Sequence, residues 1–221
     1  MSTAIGKYES ERKWLPIAML FVAFATVAND LRMSTDWTPD WKRAIPVFAA
    51  VVAFVALTNG DFRALGIRLP AQSIRHWLIV ATILAAILLL LGLGGFLILR
   101  LGLVPPETAS NAVTDPKDFS ARLVHLTVIA PVLEETVYRL ILCVPIARFS
   151  PLLAVVVSGV TFAGLHFLYG NPGPDNFFAG YLLAWIYLKS GSIYLPILFH
   201  AGGNAIILCF QVANWYALSV V

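Results

Sequence analysis

Long apolar runs separated by short polar stretches make up most of this chain. The run at 77–99 has no charged residue, and as a helix rising ~1.5 Å per residue it can cross ~30 Å of hydrocarbon. The run at 176–189 is short, which fits a tilted or partly re-entrant helix. The pattern predicts about seven membrane spans, within a range of six to eight. They lie at 14–31, 43–58, 77–99, 121–145, 151–169, 176–189 and 192–214.

The composition supports a membrane protein and excludes a nucleic-acid binder. Of the 221 residues, 59% are hydrophobic and 12% are charged, and the mean hydropathy is +0.82, whereas soluble domains carry about 25% charged residues. The net charge of +3 is small, and no basic stretch is dense enough to bind nucleic acid. We therefore expect an all-α, polytopic transmembrane bundle forming a single integral-membrane domain over 1–221. Cys143 and Cys209 lie in apolar runs and are expected to be packing thiols.

The positive charges give only a slight preference for one orientation. Lys7, Arg12 and Lys13 precede an apolar stretch at 14–28 that resembles a signal peptide, and we interpret it as the first membrane helix. With a cytoplasmic N-terminus, eight Lys and Arg residues fall inside and six outside. The orientation therefore stays open.

Three connecting segments have distinct characters. The segment 59–76 interleaves arginines with apolar residues, so it is either an interfacial amphipathic stretch or an ordinary cytoplasmic loop. The segment 102–119 is polar and proline-containing, and could be a lid over a site or a plain link. The segment 170–175 is rich in Gly, Pro and Asn and predicts a turn.

Polar clusters interrupt three of the apolar runs, and these clusters indicate function. An ionisable group in hydrocarbon is costly unless it is paired or faces water. The residue types are carboxylate, imidazole and carboxamide, which can activate water and stabilise an oxyanion. The clusters are Glu134–Arg139, Phe162–His166 and His200–Asn204.

The first cluster places two adjacent carboxylates on different faces of one helix, because neighbouring residues lie ~100° apart. Glu135 and Arg139 have the i,i+4 spacing of an ion pair with the acid first. Glu134 shares its face with Tyr138, and Pro131 loosens the helix just before it. The alternative is that both glutamates only cap or pair within the helix.

The other two clusters also use i,i+4 spacing. Phe162 can pack under His166 and fix its ring, while His200 and Asn204 project from one face. Within boundary error, these groups and Glu134 lie at similar depths in their spans, so we expect them to converge on one hydrated pocket. A helix-packing histidine and a helix-packing asparagine are the structural alternatives.

At these residues the chain resembles the CPBP family of intramembrane proteases, which includes CAAX-type prenyl endopeptidases and bacterial proteins linked to bacteriocin processing and self-immunity. The resemblance covers about 119–214, including the approach to the last motif at 189–197. Many members follow the acidic pair with Phe-Arg-Gly, where this chain has Tyr138-Arg139-Leu140. The family pattern EExxxR, FxxxH, HxxxN is met by Glu134, Glu135 and Arg139, by Phe162 and His166, and by His200 and Asn204.

The resemblance implies a role for each of these positions. Glu134 and His166 would activate a water molecule, and Asn204 with His200 would bind the oxyanion. A glutamate-type mechanism without a metal cofactor is implied, although zinc is chemically possible because Glu134, His166 and His200 are ligand types that zinc accepts. The residues expected to support the site are Glu135, Arg139, Tyr138 and Phe162.

The leading hypothesis is an intramembrane endopeptidase in a prokaryotic cell membrane. It would cleave a peptide or protein substrate at the membrane, lipid-modified or not, in contact with membrane lipids. One alternative is a non-catalytic immunity or scaffold protein that keeps the motifs for binding. Another is a transporter or proton relay that uses the same buried Glu and His groups.

Overall fold

The structure is a computed structural model that describes residues 14–35, 40–103, 114–168, 170 and 173–219. Within these ranges the backbone forms helices and turns without a strand, which confirms the all-α prediction. The helices in this part of the chain are α1 (Leu15–Thr35), α2 (Asp40–Leu57), α3 (Ile74–Arg100), α4 (119–147), α5 (Pro151–Leu168), α6 (Pro174–Ser190) and α7 (Tyr194–Ser219).

Each predicted span coincides with one of these helices, with its ends shifted by a few residues. Among the described residues, four helices are long and apolar enough to cross a membrane: Leu15–Met33, Ile74–Arg100, Pro151–Leu168 and Tyr194–Ala217. Of the others, α2 carries three charged residues in its first turn and α6 has 17 residues. The helix α4 is continuous over 119–147 but changes between α-helical and π-helical geometry along its length. The predicted helices are therefore present, while the count of seven crossings stays a prediction.

Helix α4 alternates between α-helical and π-helical geometry. Its α-helical pieces are Phe119–Val124, Ala130–Glu135 and Val144–Ala147. Its π-helical pieces are His125–Ile129 and Thr136–Cys143. Glu134 and Glu135 therefore lie between two π-helical segments, a geometry that is rare and concentrated at functional sites.

A short 3₁₀ helix, Pro116–Asp118, leads into α4 and has a defined cap. Asp115 accepts a hydrogen bond from the Lys117 backbone N–H at 3.0 Å and lies 3.0 Å from Lys117 Nζ. That backbone hydrogen bond, followed by the ammonium, lowers the pKa of Asp115 below its usual value. The end of the predicted lid-or-link segment is thus an ordered helix start.

The helices divide into two compact units. Unit 1 comprises the described part of Met1–Ala71 together with Val132–Ile197, and unit 2 comprises the described part of Gln72–Pro131 and Leu198–Val221. The single domain predicted over 1–221 stays a prediction. Both cysteines are free thiols; Cys143 is buried in unit 1 and Cys209 is exposed in unit 2.

The core of unit 1 forms where α1, α2, α5 and α6 pack against the second half of α4. Apolar and aromatic side chains fill it at positions that repeat with helical spacing. Many other large apolar side chains are exposed, as expected for surfaces that face lipid. Fully buried members of the core include Met19, Phe54, Leu65, Val137, Ile141, Phe162 and Tyr187.

The connection after α2 docks onto the junction between α6 and α7 in unit 1. It is built of turns, and the Arg68 Nε donates to the Gly191 carbonyl at 2.9 Å. The Tyr187 hydroxyl donates to the Leu65 carbonyl at 2.7 Å, and the Ile193 N–H donates to Gly66 O at 2.8 Å. The segment 59–71 is therefore hydrogen-bonded to the residues that lead into the His200–Asn204 cluster.

Unit 2 brings together α3, the first part of α4 and most of α7. The Trp77 ring meets the Phe199 ring edge-on at 6.2 Å. The Phe210 ring lies where a side chain at Gly92 would point, so the glycine permits close packing of α3 and α7. Arg100 Nη1 donates to the Ala217 carbonyl at 3.0 Å, and this bond links the C-terminal ends of α3 and α7.

Some sequence predictions lie outside the described residues. They concern the basic residues Lys7, Arg12 and Lys13, the segment 104–113 within the predicted lid, and the centre of the predicted turn at Asn171 and Pro172.

Candidate active site

The ion pair predicted between Glu135 and Arg139 is present in unit 1. Arg139 Nε donates to Glu135 Oε2 at 2.8 Å and Arg139 Nη2 to Glu135 Oε1 at 3.4 Å. Both side chains have no exposed surface. Because two charges leave water together and satisfy each other, the pair can persist in an apolar core.

Ser158 completes this buried network, although no pattern in the sequence marks it as a site residue. Arg139 Nη1 donates to Ser158 Oγ at 2.7 Å, and the Ser158 hydroxyl donates to the Tyr138 carbonyl at 3.0 Å. Ser158 lies one helical turn before Phe162 and two before His166 on α5. Its position therefore joins the polar face of α5 to the π-helical segment of α4.

A second buried network holds the other end of Tyr138. The Tyr138 hydroxyl donates to Asp30 Oδ2 at 2.9 Å. Asp30 Oδ1 accepts from Arg43 Nε at 3.1 Å and Nη2 at 3.0 Å. Asp30 is an acid inside an apolar run, so the test that selected Glu134 would also have found it; its partners on α2 and α4 could not be deduced from spacing.

The predicted packing of Phe162 under His166 is present on α5. The two rings are tilted by 33° with centroids 4.4 Å apart. His166 Nδ1 lies 3.0 Å from the Phe162 carbonyl oxygen. Because a carbonyl only accepts, Nδ1 carries the proton, and in the neutral ring Nε2 is left as an acceptor.

Glu134 and His166 come together on the side of α4 that faces α5. Glu134 Oε2 is 3.9 Å from His166 Nε2, and the side chains are 13% and 14% exposed, respectively. This separation is too long for a direct hydrogen bond. Two acceptors at this separation can be bridged by one small donor molecule.

Asn204 has a specific partner in unit 2. Its Nδ2 donates to the Leu126 carbonyl at 2.8 Å. In an α-helix that carbonyl would accept from Ala130, but in the π-helical segment the Ala130 N–H donates to His125 O instead. The next N–H along would belong to Pro131, which has none. The Asn204 amide therefore satisfies a carbonyl that the π-turn and the proline leave without a helical donor.

The predicted residues thus fall into two groups, one in each compact unit. Glu134, with its neighbours on α4 and α5, lies in unit 1, whereas His200 and Asn204 lie one turn apart on α7 in unit 2. The convergence of both groups on one pocket stays a prediction. Within either unit, the described residues include no group of three His, Cys, Asp or Glu side chains with metal-ligand spacing.

An apolar cavity of about 310 Å³ lies elsewhere in unit 1. On α5 its lining residues are Val160, Ala163, Gly164 and Phe167. They form a different stripe of that helix from Phe162 and His166, so the cavity is separate from the Glu134–His166 pair.

Residues 116–206 match the family model described as type II CAAX prenyl endopeptidase Rce1-like. The matched segment contains all three motifs and is less than half of the chain. No curated protein and no solved structure gives a significant match. The match confirms the family resemblance predicted from the motifs and supports a CAAX-type protease in general.

Proposed function

We propose that this chain, whose residues 116–206 are Rce1-like, is an intramembrane endopeptidase that hydrolyses a peptide bond of a membrane-associated or lipid-modified substrate. The observation that carries the proposal is the pair formed by Glu134 and His166. A carboxylate on α4 and an oriented imidazole on the long apolar helix α5 face each other at 3.9 Å, and both side chains are partly exposed.

This geometry suits one water molecule that donates both of its hydrogens. A water oxygen about 2.8 Å from each acceptor would subtend an angle of roughly 90°, close to the angle between the hydrogens of water. One hydrogen would then point to Glu134 Oε2 and the other to His166 Nε2. The oxygen lone pairs would face away from both groups, towards an incoming carbonyl carbon.

The reaction moves one proton from the water to Glu134 and then from Glu134 to the departing amine. Glu134 takes a proton from the water while the water oxygen bonds to the scissile carbonyl carbon. This attack places negative charge on the carbonyl oxygen. When that intermediate collapses, the C–N bond breaks and Glu134 returns the proton to the departing amine. His166 orients the water through Nε2 and is held by its own Nδ1–H bond to the Phe162 carbonyl.

Asn204, with His200, is proposed to stabilise the oxyanion. The Leu126 carbonyl takes one N–H of the Asn204 amide and thereby fixes which end of the group is the donor. The second N–H on the same nitrogen is then the one offered to the substrate. A preorganised donor of this kind contributes about 3–4 kcal/mol to transition-state binding in a well-studied protease.

Four residues are proposed to support these groups without touching the substrate. Glu135 and Arg139 form a buried ion pair on the same helix as Glu134. The Tyr138 ring packs on Phe162, and the Phe162 ring packs on His166.

The proposed mechanism uses water without a metal ion, although zinc remains a possible cofactor. Two ligands of one tetrahedral zinc ion at about 2.0–2.1 Å would be about 3.4 Å apart, so the 3.9 Å pair of Glu134 and His166 would have to close before it could bind zinc. We expect proteolysis to continue in the presence of a chelator. Activity that is lost on chelation and restored by zinc would overturn this point.

The cellular setting is also part of the proposal. Several long apolar helices and the family match indicate an integral membrane protein. We propose a multi-pass protein of a prokaryotic cell membrane that acts on peptide or protein substrates at the membrane surface and among its lipids.

The test is cleavage of a membrane-tethered peptide library by the purified full chain in lipid nanodiscs. Glu134→Gln and His166→Asn should each lower turnover at least about 100-fold, the usual worth of a general base and its partner. Asp118→Asn and His76→Gln remove an exposed acid and an exposed histidine outside the site, so they serve as matched controls. Wild-type turnover that survives both site substitutions unchanged would reject the assignment.

The same variants separate the alternatives. A binding or immunity protein would keep its cellular phenotype with Glu134→Gln, whereas a protease would lose it. A proton relay would show flux across proteoliposomes that depends on Glu134 and would cleave none of the peptides.

A further inference from the structure

Asp30 is a buried acid that the proposed mechanism does not use. It lies on α1 with only 3% of its surface exposed. Arg43 from α2 donates to one of its oxygens, and the Tyr138 hydroxyl from α4 donates to the other. The ion pair with Arg43 therefore fixes an acceptor at a defined place beside the Tyr138 ring.

Tyr138 is held at three separate points. Its hydroxyl donates to Asp30 at 2.9 Å, and its carbonyl accepts from Ser158 at 3.0 Å. Its ring meets Phe162 edge-on at 86°, with centroids 5.4 Å apart. An edge-to-face contact depends on the relative tilt of the rings, so the hydroxyl bond that sets the tilt of Tyr138 also sets where Phe162 can lie.

The position of Phe162 in turn limits the orientation of the His166 ring. The centroids of the Phe162 ring and of the imidazole are 4.4 Å apart, and the Phe162 carbonyl accepts a hydrogen bond from the Nδ1–H group. The opposite edge of that imidazole carries Nε2, the atom 3.9 Å from Glu134. Asp30 is thus connected to His166 through two successive ring contacts, all within unit 1.

We propose that Asp30, neutralised by Arg43, is a positioning residue that orients His166 through the Tyr138 hydroxyl and the Phe162 ring. The proposal rests on the proposed function, because it names what aims the imidazole of that site. It also explains why residue 138 is a tyrosine. Packing against Phe162 requires only an aromatic ring, whereas the hydrogen bond to Asp30 requires the hydroxyl.

The first test is Tyr138→Phe, which removes the hydroxyl and keeps the ring. We expect kcat to fall about tenfold, as a small misplacement of a reacting group does, with KM within about twofold of wild type. The chain has four histidines, so ¹³C-labelled histidine gives four NMR signals, and His166→Gln identifies one of them. Tyr138→Phe should shift the His166 signal and leave the other three in place.

The second test removes the acceptor without leaving a lone buried charge. The double variant Asp30→Leu/Arg43→Met should show the same kcat loss and the same His166 shift. Adding Tyr138→Phe to it should cause no further loss, because both changes break one connection. Thr26→Val is the matched control: Thr26 is buried one turn earlier on α1, and its hydroxyl bonds within its own helix.

The two readouts separate the two proposals. Folded Tyr138→Phe and Asp30→Leu/Arg43→Met proteins with a wild-type His166 signal would overturn the positioning role. A His166 signal shifted to the same extent in Thr26→Val would do so as well. A wild-type protein that cleaves nothing would reject the proposed function, and the NMR shifts would still decide whether Asp30 orients His166.

Discussion

Adjacent glutamates in this chain have different surroundings. Glu135 is fully buried against Arg139, while Glu134 is partly exposed beside His166. Their ~100° separation on the helix predicted this division. The i,i+4 contacts were predictable in the same way, because they depend on one helix alone. Ser158 and Arg43 were missed as site residues because their partners come from other helices, whereas Asp30, an acid inside an apolar run, was identifiable by the criterion that selected Glu134.

The glutamates should therefore respond differently to the same substitution. Glu135→Gln leaves the Arg139 charge buried without its counter-ion, and we expect it to lower the free energy of unfolding by about 3–5 kcal/mol. Glu134→Gln should leave stability within about 0.5 kcal/mol. Unfolding in mixed micelles measures both. Equal destabilisation by the two changes would contradict the division.

Ser158 offers a second prediction at this scale. Ser158→Ala removes an acceptor for Arg139 and a donor to the Tyr138 carbonyl, both buried. We expect a loss of about 1–3 kcal/mol in the free energy of unfolding. Thr161→Val on the same helix is the control, since the Thr161 hydroxyl bonds only to its own helix backbone. A Ser158→Ala protein no less stable than that control would show that the network contributes little.

Among the helices, α4 shows what hydropathy predicts and what it leaves out. The apolar run gave its position and length, and Pro131 indicated a weak point before Glu134. The π-helical segments were not predictable, because they depend on which carbonyls find donors elsewhere. Leu126 finds its donor on α7, and no local pattern in the sequence shows that pairing.

The pairing predicts a measurable coupling between Pro131 and Asn204. Asn204→Ala should lower the free energy of unfolding by about 1–3 kcal/mol, because it strands the Leu126 carbonyl. In a Pro131→Ala background the new N–H can reach that carbonyl, so the same change should cost much less. A double-mutant cycle by unfolding measures the coupling. Costs that are equal in the two backgrounds would show that the proline is not the reason for the asparagine.

For the whole molecule, the sequence predicted an all-α membrane protein with helices at the observed places. Composition and run length suffice for that, because lipid requires every backbone group to bond within its segment. The contact of segment 59–71 with the α6–α7 junction was not predictable, because it depends on hydrogen bonds from side-chain and backbone donors to backbone carbonyls in distant parts of the chain.

Convergence of the two groups of site residues can be tested by kinetics. If His166 and Asn204 serve one reaction centre, the effects of His166→Asn and Asn204→Ala on kcat/KM should be strongly non-additive. The kcat/KM of the double variant should then be only slightly lower than that of the less active single variant. Independent sites would give the product of the two losses. Multiplicative losses would show that α5 and α7 serve separate purposes.

Pro131 leaves the Leu126 carbonyl on α4 without a helical donor, and the Asn204 amide on α7 supplies one. In a library randomised at positions 131 and 204 and selected only for abundance in the membrane, the two positions should therefore covary. Survivors should keep proline with an amide donor, or lose both together.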